Sequence, residues 1–238
     1  MDYYQHDLAL VHARGFGKHA DRCAPGILEL LAPVRGGLVL EVGCGAGALT
    51  RYLLDAGHQV IATDASAAMV SLTHSELGGG VDVRQLVLPD DPLPAADAIV
   101  SVGHVISYLP DAAAVDRALV AMARALRPGG VLAIDICDLE FGRVRAGEDN
   151  IGRVGPDWAV ITQFSAPSPD IFVRDITTFV PDGAGAWRRD GERHVNVLVD
   201  TSLIPARLAS HGVTATIGTA FGDAELPPGL RTVTGIKT

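Results

Sequence analysis

Leu38-Val39-Leu40-Glu41-Val42-Gly43-Cys44-Gly45-Ala46-Gly47 is the stretch that decides the fold. Its first five residues form an apolar run interrupted only by Glu41 and ended by glycine, as expected of a short strand buried in a parallel sheet. Glycine at alternate positions 43, 45 and 47 allows a tight turn and lets a ligand approach bare backbone. Leu49, Leu53 and Leu54 then recur at helical spacing as far as Gly57, and a second strand follows over Gln59–Asp64. Asp64 closes that strand with a carboxylate, which can accept hydrogen bonds from both hydroxyls of a ribose. Strand, glycine turn, helix, strand and acid, in that order, describe a nucleoside-containing ligand at the switch point of a sheet.

On either side the pattern extends. Residues 7–32 read as helical, with Leu8 and Val11 on one apolar face, Ile27, Leu28, Leu30 and Leu31 on another, and Pro25 and Pro33 as punctuation. Ser66 caps a short helix carrying Met69 and Val70. Residues 81–88 and 98–102 read as strands. Asp111 caps the clearest helix, whose stripe of Val115, Leu119, Met122 and Leu126 is stopped by Arg127-Pro128-Gly129-Gly130 before a strand over 131–136. The alternation predicts an α/β, doubly wound sheet. From residue 155 the character turns to β, over 158–164, 171–180 and 186–199, with turn signals at Pro167-Ser168-Pro169-Asp170 and Pro181-Asp182-Gly183. A helix over 202–211 and strands over 213–221 and 230–237 close the chain. The expected organisation is a single domain over 1–238: an N-terminal helical cap (1–37), a cofactor-binding core (38–136), and a β-rich insertion (155–199) laid over the carboxyl edge of the sheet.

Composition narrows the function classes. With 48% hydrophobic and 20% charged residues the chain reads as globular, and no apolar run approaches the roughly 20 residues of a membrane span. Nor is a leader sequence evident, so a cytoplasmic location is expected. A net charge of −9 speaks against nucleic acid as the main partner, because phosphate contacts need clustered Lys and Arg. Cys23, Cys44 and Cys137 lie far apart, so neither a disulfide framework nor a metal site is expected. Lysine is confined to Lys18 and Lys237 among 19 basic residues, a bias that suggests a bacterial source of high GC content. The expected state is a monomer or homodimer.

The glycine loop alone leaves two ligands open. Gly43-x-Gly45-x-x-Ala48 satisfies a permissive dinucleotide fingerprint, and Asp64 lies at a compatible distance, so an NAD(P)-dependent oxidoreductase is one reading. The extra Gly47, the preceding Glu41, the helices before the first strand and the antiparallel character of the C-terminal third favour another. The chain resembles class I S-adenosylmethionine-dependent methyltransferases, most closely the bacterial small-molecule type. The resemblance is carried by Val39-Leu40-Glu41-Val42-Gly43-Cys44-Gly45-Ala46-Gly47, by Thr63-Asp64-Ala65-Ser66, by Asp97-Ala98-Ile99-Val100-Ser101-Val102 leading to Tyr108-Leu109-Pro110-Asp111, and by Leu126-Arg127-Pro128-Gly129-Gly130-Val131-Leu132.

This resemblance implies a seven-stranded sheet of order 3-2-1-4-5-7-6 with the last strand antiparallel. It implies S-adenosylmethionine as cofactor and methyl transfer to an oxygen or nitrogen of a small-molecule acceptor. Gly43, Cys44, Gly45 and Gly47, with Glu41 before them, would wrap the methionine part and the ribose edge. Asp64 would hold the ribose hydroxyls, Ala65 and Met69 would face the adenine, and Ser101, Val102 and Gly103 would contact the methionine end. The family often places an acid after the third strand, near the adenine amine. Here Leu86-Val87-Leu88-Pro89 precedes Asp90-Asp91, so the chain departs from that pattern and the partner of the adenine amine stays open, with Leu88 in the expected cofactor-binding set. Since fold does not fix activity, a non-catalytic nucleoside-binding protein is a third reading.

Methyl transfer is an in-line displacement with a good leaving group, so alignment and desolvation supply much of the acceleration. A base is needed only where the acceptor must lose a proton. His104, after the fourth expected strand, is the first candidate base. His194 is the second; period-two geometry puts it on one strand face with Glu192, a pair that lacks an evident third metal ligand. Tyr4, His12 and Phe16, joined by Tyr3, occupy the N-terminal segment and with Tyr108 and His104 form the expected acceptor-contacting set. Gly15 and Gly17 flank Phe16 and would permit a hinge, and Trp158 and Trp187 are candidate pocket walls, with plain packing the favoured role for each.

Overall fold

The computed structural model of the chain describes residues 3–147, 149–183 and 185–238. Its central sheet is built from short apolar runs: β1 (Leu38–Val42), β2 (Gln59–Asp64), β3 (Asp82–Gln85), β4 (Ala96–Ser101) and β5 (Leu126–Cys137). β1 pairs in parallel with β2 and β4, β2 with β3, and β4 with β5. Helices alternate with these strands: α1 (His6–Gly15), α2 (Lys18–Leu30), α3 (Ala48–Asp55), α4 (Ala67–Leu77) and α5 (Ala112–Ala125). Period-two alternation sends Val39, Val60, Ala98, Val100 and Ala133 to the face covered by α2 and α3. It sends Leu40, Ile61, Ile99, Leu132 and Ile134 to the face covered by α5. Both faces are thus buried, which explains why these strands read as near-continuous apolar runs.

Beyond β5 come α6 (Leu139–Arg145) and a second, antiparallel sheet of β6 (Ile151–Val154), β7 (Ala159–Ser168), β8 (Ile171–Pro181) and β9 (Trp187–Val197). The chain then returns through α7 (Ile204–Ala209), which joins α5 on its face of the central sheet, to β10 (Val213–Gly218). A small hairpin, β11 (Ala220–Phe221) and β12 (Ala224–Glu225), precedes β13 (Leu230–Lys237). β13 inserts antiparallel between β5 and β10, so the sheet order is β3-β2-β1-β4-β5-β13-β10. With β10 and β13 as its sixth and seventh strands, this is the expected 3-2-1-4-5-7-6 arrangement. The face of the second sheet that carries Val160, Ile176 and Val180 packs on Leu8 and Val11 of α1, and Trp158 belongs to the same cluster.

Several boundaries differ from expectation for physical reasons. Residues 7–32 break into two helices at Phe16 and Gly17, and Pro25 lies inside α2 instead of ending it. Burial of Cys23, Ala24 and Ile27 against the sheet outweighs the backbone bond that Pro25 cannot make. Leu126 belongs to β5 and not to the α5 stripe, since its backbone is already extended. β3 stops at Gln85 because the next residues turn, with Val87 N donating to Asp91 Oδ2 at 2.7 Å. The single strand expected over 213–221 is split by the β11–β12 hairpin. α6 and β6 were not expected. β6 is exposed along its whole length on a sheet edge and carries no alternation to read.

Candidate active site

The end of β1 is tied to the end of β2 by backbone. Gly43 and Cys44 both donate to Thr63 O, at 2.7 and 2.8 Å, and Thr63 Oγ1 donates to Glu41 O at 2.8 Å. Gly43, Gly45 and Gly47 all have left-handed φ (+76°, +55° and +79°), yet they serve different ends. A Cβ at Gly43 would stand 2.3 Å from Val105 Cγ2, and one at Gly47 would stand 3.0 Å from Leu77 Cδ1. Those two glycines let the chain pack. Among the described residues nothing lies within 4 Å of a Cβ built at Gly45 or at Gly103, so the backbone at these two places faces open space.

Asp64 sits beside this cradle. Its Oδ2 accepts from Gly45 N at 3.0 Å and its Oδ1 from Ser66 N at 2.9 Å. Burial pushes the carboxyl pKa up, against the pull of these backbone donors. Glu41 is buried below the loop and accepts from Thr50 Oγ1 at 2.6 Å. Burial first, and the Asp64 charge second, raise it to about 7 despite the Thr50 hydrogen bond.

The Glu41 shift has a testable sign. The native state holds this proton up to about pH 7, whereas the unfolded chain loses it near 4.5. Stability should therefore fall as pH rises through that window, by at most about 3 kcal/mol. The expected result is that Glu41→Gln gains stability relative to the natural chain as pH is raised from about 5 to about 8. Denaturant unfolding at the two pH values measures it, and a pH-independent difference between the two proteins would contradict the assignment.

Above the carboxyl edge of the sheet lies a cavity of about 1670 Å³, larger than the roughly 300–1,000 Å³ typical of a single small-ligand site. Its wall includes Glu41, Gly43, Cys44, Gly45 and Asp64 on the glycine-loop side. Ala65, Met69 and Leu88 continue that side, and Val102, Gly103 and His104 follow β4. Tyr4, His12, Phe16 and Tyr108 line the rest, with Phe164, Phe172 and Arg174 of the second sheet. Gly47 and Ser101 are not in the wall: Gly47 packs on α4, and Ser101 is fully buried with its hydroxyl unpartnered. Asp90 lines the cavity, whereas Asp91 is turned to Val87 N.

Neither tryptophan walls the cavity. Trp158 is buried against Gly15 and Gly155, where a Cβ at Gly15 would stand 2.6 Å from its ring, and Trp187 is 55% exposed. Gly15 is thus a packing position beneath an indole, which corrects its reading as a hinge. His194 is also outside the wall. It is fully buried, with Nε2 2.9 Å from Glu192 Oε2 and Nδ1 3.4 Å from Tyr108 Oη. Both ring nitrogens are engaged, so its place is behind Tyr108 and not facing an acceptor.

His104 is placed differently. Its backbone is left-handed (φ +51°), held by N–H donation to Asp135 Oδ1 at 2.6 Å, while Gly103 N donates to Asp135 Oδ2 at 3.0 Å. Its side chain makes no hydrogen bond among the described residues, and burial, with the Arg174 cation nearby, holds its pKa well below 6.5. His12 is lowered to about 4, by burial first and then by Arg174 and His194. Both imidazoles are therefore neutral at pH 7. His19 is the opposite case: burial disfavours its charge, but Asp135, 3.1 Å away, and Cys23 raise it to about 10.

The N-terminal segment is strapped across the site. Tyr4 N and Gln5 N donate to the two carboxylate oxygens of Glu192, each at 2.8 Å, and Ser66 Oγ donates to Tyr4 O at 2.8 Å. The Tyr4 and Tyr108 hydroxyls are 2.9 Å apart, and Arg174 Nη2 donates to Tyr108 Oη. Among the described residues no cluster of metal-ligating side chains forms. Sequence reasoning missed Asp135, His19 and Arg174. An acid inside the apolar run Val131-Leu132-Ala133-Ile134-Asp135-Ile136 and a cation inside Ile171-Phe172-Val173-Arg174 were the available signals, since buried charge in a strand calls for a reason.

Residues 39–130 match a family model described as a methyltransferase domain. The malonyl-[acyl-carrier protein] O-methyltransferase of Pectobacterium atrosepticum is 36% identical over 107 residues, which cover 44% of this chain and 41% of that protein. The chain thus spans less than half the length of that relative. Among solved structures, a sugar N-methyltransferase from Streptoalloteichus superposes with TM-score 0.80 at 22% identity, covering 100% of this chain and 95% of its own. An S-adenosylmethionine-dependent methyltransferase from Clostridium acetobutylicum gives TM-score 0.79 at 17% identity, with 96% of each chain covered. At such identities these structures show a shared fold.

Proposed function

We propose that this chain, whose residues 39–130 match a methyltransferase-domain model and whose fold is shared with solved methyltransferases, transfers a methyl group from S-adenosylmethionine to an oxygen or nitrogen of a small-molecule acceptor. The observation that carries this reading is the Asp64 carboxylate beside a backbone cradle left open at Gly45 and Gly103. The cradle lies in a cavity large enough for a nucleoside and a second molecule. The donor set suits such a cofactor. Asp64 would accept from the ribose hydroxyls, Ala65, Met69 and Leu88 would face the adenine, and Asp90 offers an acceptor for its amine. Gly43, Cys44, Val102 and Gly103 present backbone toward the methionine end.

When bound, the cofactor supplies an electrophilic methyl group on a sulfonium, so the protein's task is alignment and exclusion of water. Tyr4, held by Glu192 and Ser66, closes one side of the cavity. Tyr108, backed by His194, fixes the floor of the acceptor half. His104, neutral and uncommitted, would accept a hydrogen bond from the attacking hydroxyl or amine and draw off its proton. His104→Gln should slow transfer about tenfold or more with cofactor affinity kept. Steady-state kinetics beside a binding titration would check this, and unchanged turnover would remove His104 from the role.

The oxidoreductase reading is not favoured, because antiparallel β13 and β10 stand where a second nucleotide-binding half would continue the sheet. A binding protein without activity is opposed by the cavity itself, which the second sheet roofs without filling. Incubation with methyl-labelled S-adenosylmethionine and a bacterial small-molecule extract tests the proposal. Label should appear in a low-molecular-weight product together with the demethylated cofactor. Cofactor left intact against every fraction would contradict it.

A further inference from the structure

Among the described residues, Arg174 is a cation without an anionic partner. It projects from β8 into the acceptor half of the cavity, where its Nη2 donates to Tyr108 Oη and to Asn196 Oδ1, the latter at 3.1 Å. Its Nε is enclosed and unpartnered, and its Nη1 makes no hydrogen bond among the described residues. It forms no ion pair there either. The nearest carboxylate on the neighbouring strand, Glu192, is taken by Tyr4 N, Gln5 N and His194. Asp175, next in sequence, pairs with Arg193. The acids that line the cavity, Asp21, Glu41, Asp55, Asp64, Glu76 and Asp90, make neither a hydrogen bond nor an ion pair with Arg174 among the described residues.

A guanidinium stays charged at any physiological pH, and enclosing one without a counter-charge costs stability. Tyr108 and Asn196 hold this one in a fixed orientation, Tyr108 with its ring 5.4 Å beneath the guanidinium carbon. The three histidines around it, 12, 104 and 194, all have lowered pKa values and bring no competing charge at neutral pH. A cation so oriented, and left with free donors, fits an oxyanion that arrives with a ligand.

Resting on the methyl-transfer reading, we propose that the acceptor carries an oxyanion, a carboxylate or a phosphate, which Arg174 binds, and that this contact selects the substrate. Arg174 is then a specificity-determining residue: it anchors the acceptor at one end while the nucleophile is presented to the methyl group at the other. Neutral acceptors of similar shape would leave the guanidinium unpaired and be rejected.

Calorimetry on the protein loaded with S-adenosylhomocysteine tests this, with benzoate, phenyl phosphate and neutral benzamide as probes. At least one anion should bind about tenfold or more tightly than benzamide. The tighter of the two identifies carboxylate or phosphate as the preferred group. Arg174→Gln should abolish the difference, and Arg174→Lys should keep part of it. Retained S-adenosylhomocysteine binding in both variants shows that they fold. Equal binding of anion and amide, an anion preference that survives Arg174→Gln, or no anion binding at roughly 10 mM overturns the proposal. Running the titrations also on the unloaded protein keeps them readable if S-adenosylhomocysteine itself does not bind, a result that would strike the methyl-transfer reading.

Discussion

Asp64→Ala should weaken binding of S-adenosylmethionine and of S-adenosylhomocysteine about a hundredfold. Two charge-assisted hydrogen bonds to ribose hydroxyls are lost, each worth about 1.5–3 kcal/mol, and about 3 kcal/mol in total corresponds to that factor. The carboxylate also orders the site, because it accepts from Gly45 N and Ser66 N and so holds the loop against the end of β2. Asp64→Asn keeps one acceptor oxygen and should fall between the two. Stability should change far less than affinity. Removing a carboxyl whose pKa burial has raised relieves a desolvation cost, which offsets the backbone donors left behind. Calorimetry with each ligand, beside denaturant unfolding, separates the two effects. Affinity unchanged in Asp64→Ala would take the ribose away from this residue.

The second large effect separates two glycines of the same loop. Gly43→Ala should cost about 2–4 kcal/mol of stability. Its left-handed φ strains any other residue, and its Cβ would overlap Val105, which stands on the short turn that carries Tyr108. Gly45→Ala should cost only about 1 kcal/mol, the strain term alone, since nothing lies within 4 Å of its new methyl group. The same methyl group fills the space the cofactor needs, so Gly45→Ala should lose most of its affinity for S-adenosylhomocysteine while remaining folded. Unfolding curves and calorimetry on both variants distinguish them. A destabilised Gly45→Ala with intact binding would reverse the roles assigned here.

The core of the sheet was legible because strands buried on both faces leave near-continuous apolar runs, and because Gly43, Gly45, Gly47 and Asp64 stand at its carboxyl edge in a fixed order. The antiparallel strands β7, β8 and β9 were legible from the turn signals at 167–170 and 181–183. Contacts between distant segments were less so. Glu192 and His194 were placed on one strand face correctly, but nothing local shows that Glu192 receives the N-terminal strap or that His194 is closed in by Tyr108. The sequence left Trp158 open to a wall or, in preference, a packing role. Only the fold shows Gly15 and Gly155 packed on its ring. Arg174 and Asp135 were hidden by their apolar neighbours, since a charge in a buried strand gains its meaning from partners distant in sequence: Tyr108 lies 66 residues before Arg174, and His19 lies 116 before Asp135.

The most direct measurement is calorimetric titration of the purified chain with S-adenosylhomocysteine and, separately, with NADH. The cradle at Gly45 and Gly103 with its acid at 64 should bind the first with a Kd of about 1–100 μM and show no heat with the second. Saturable binding of the dinucleotide, with the thioether nucleoside inert, would contradict it.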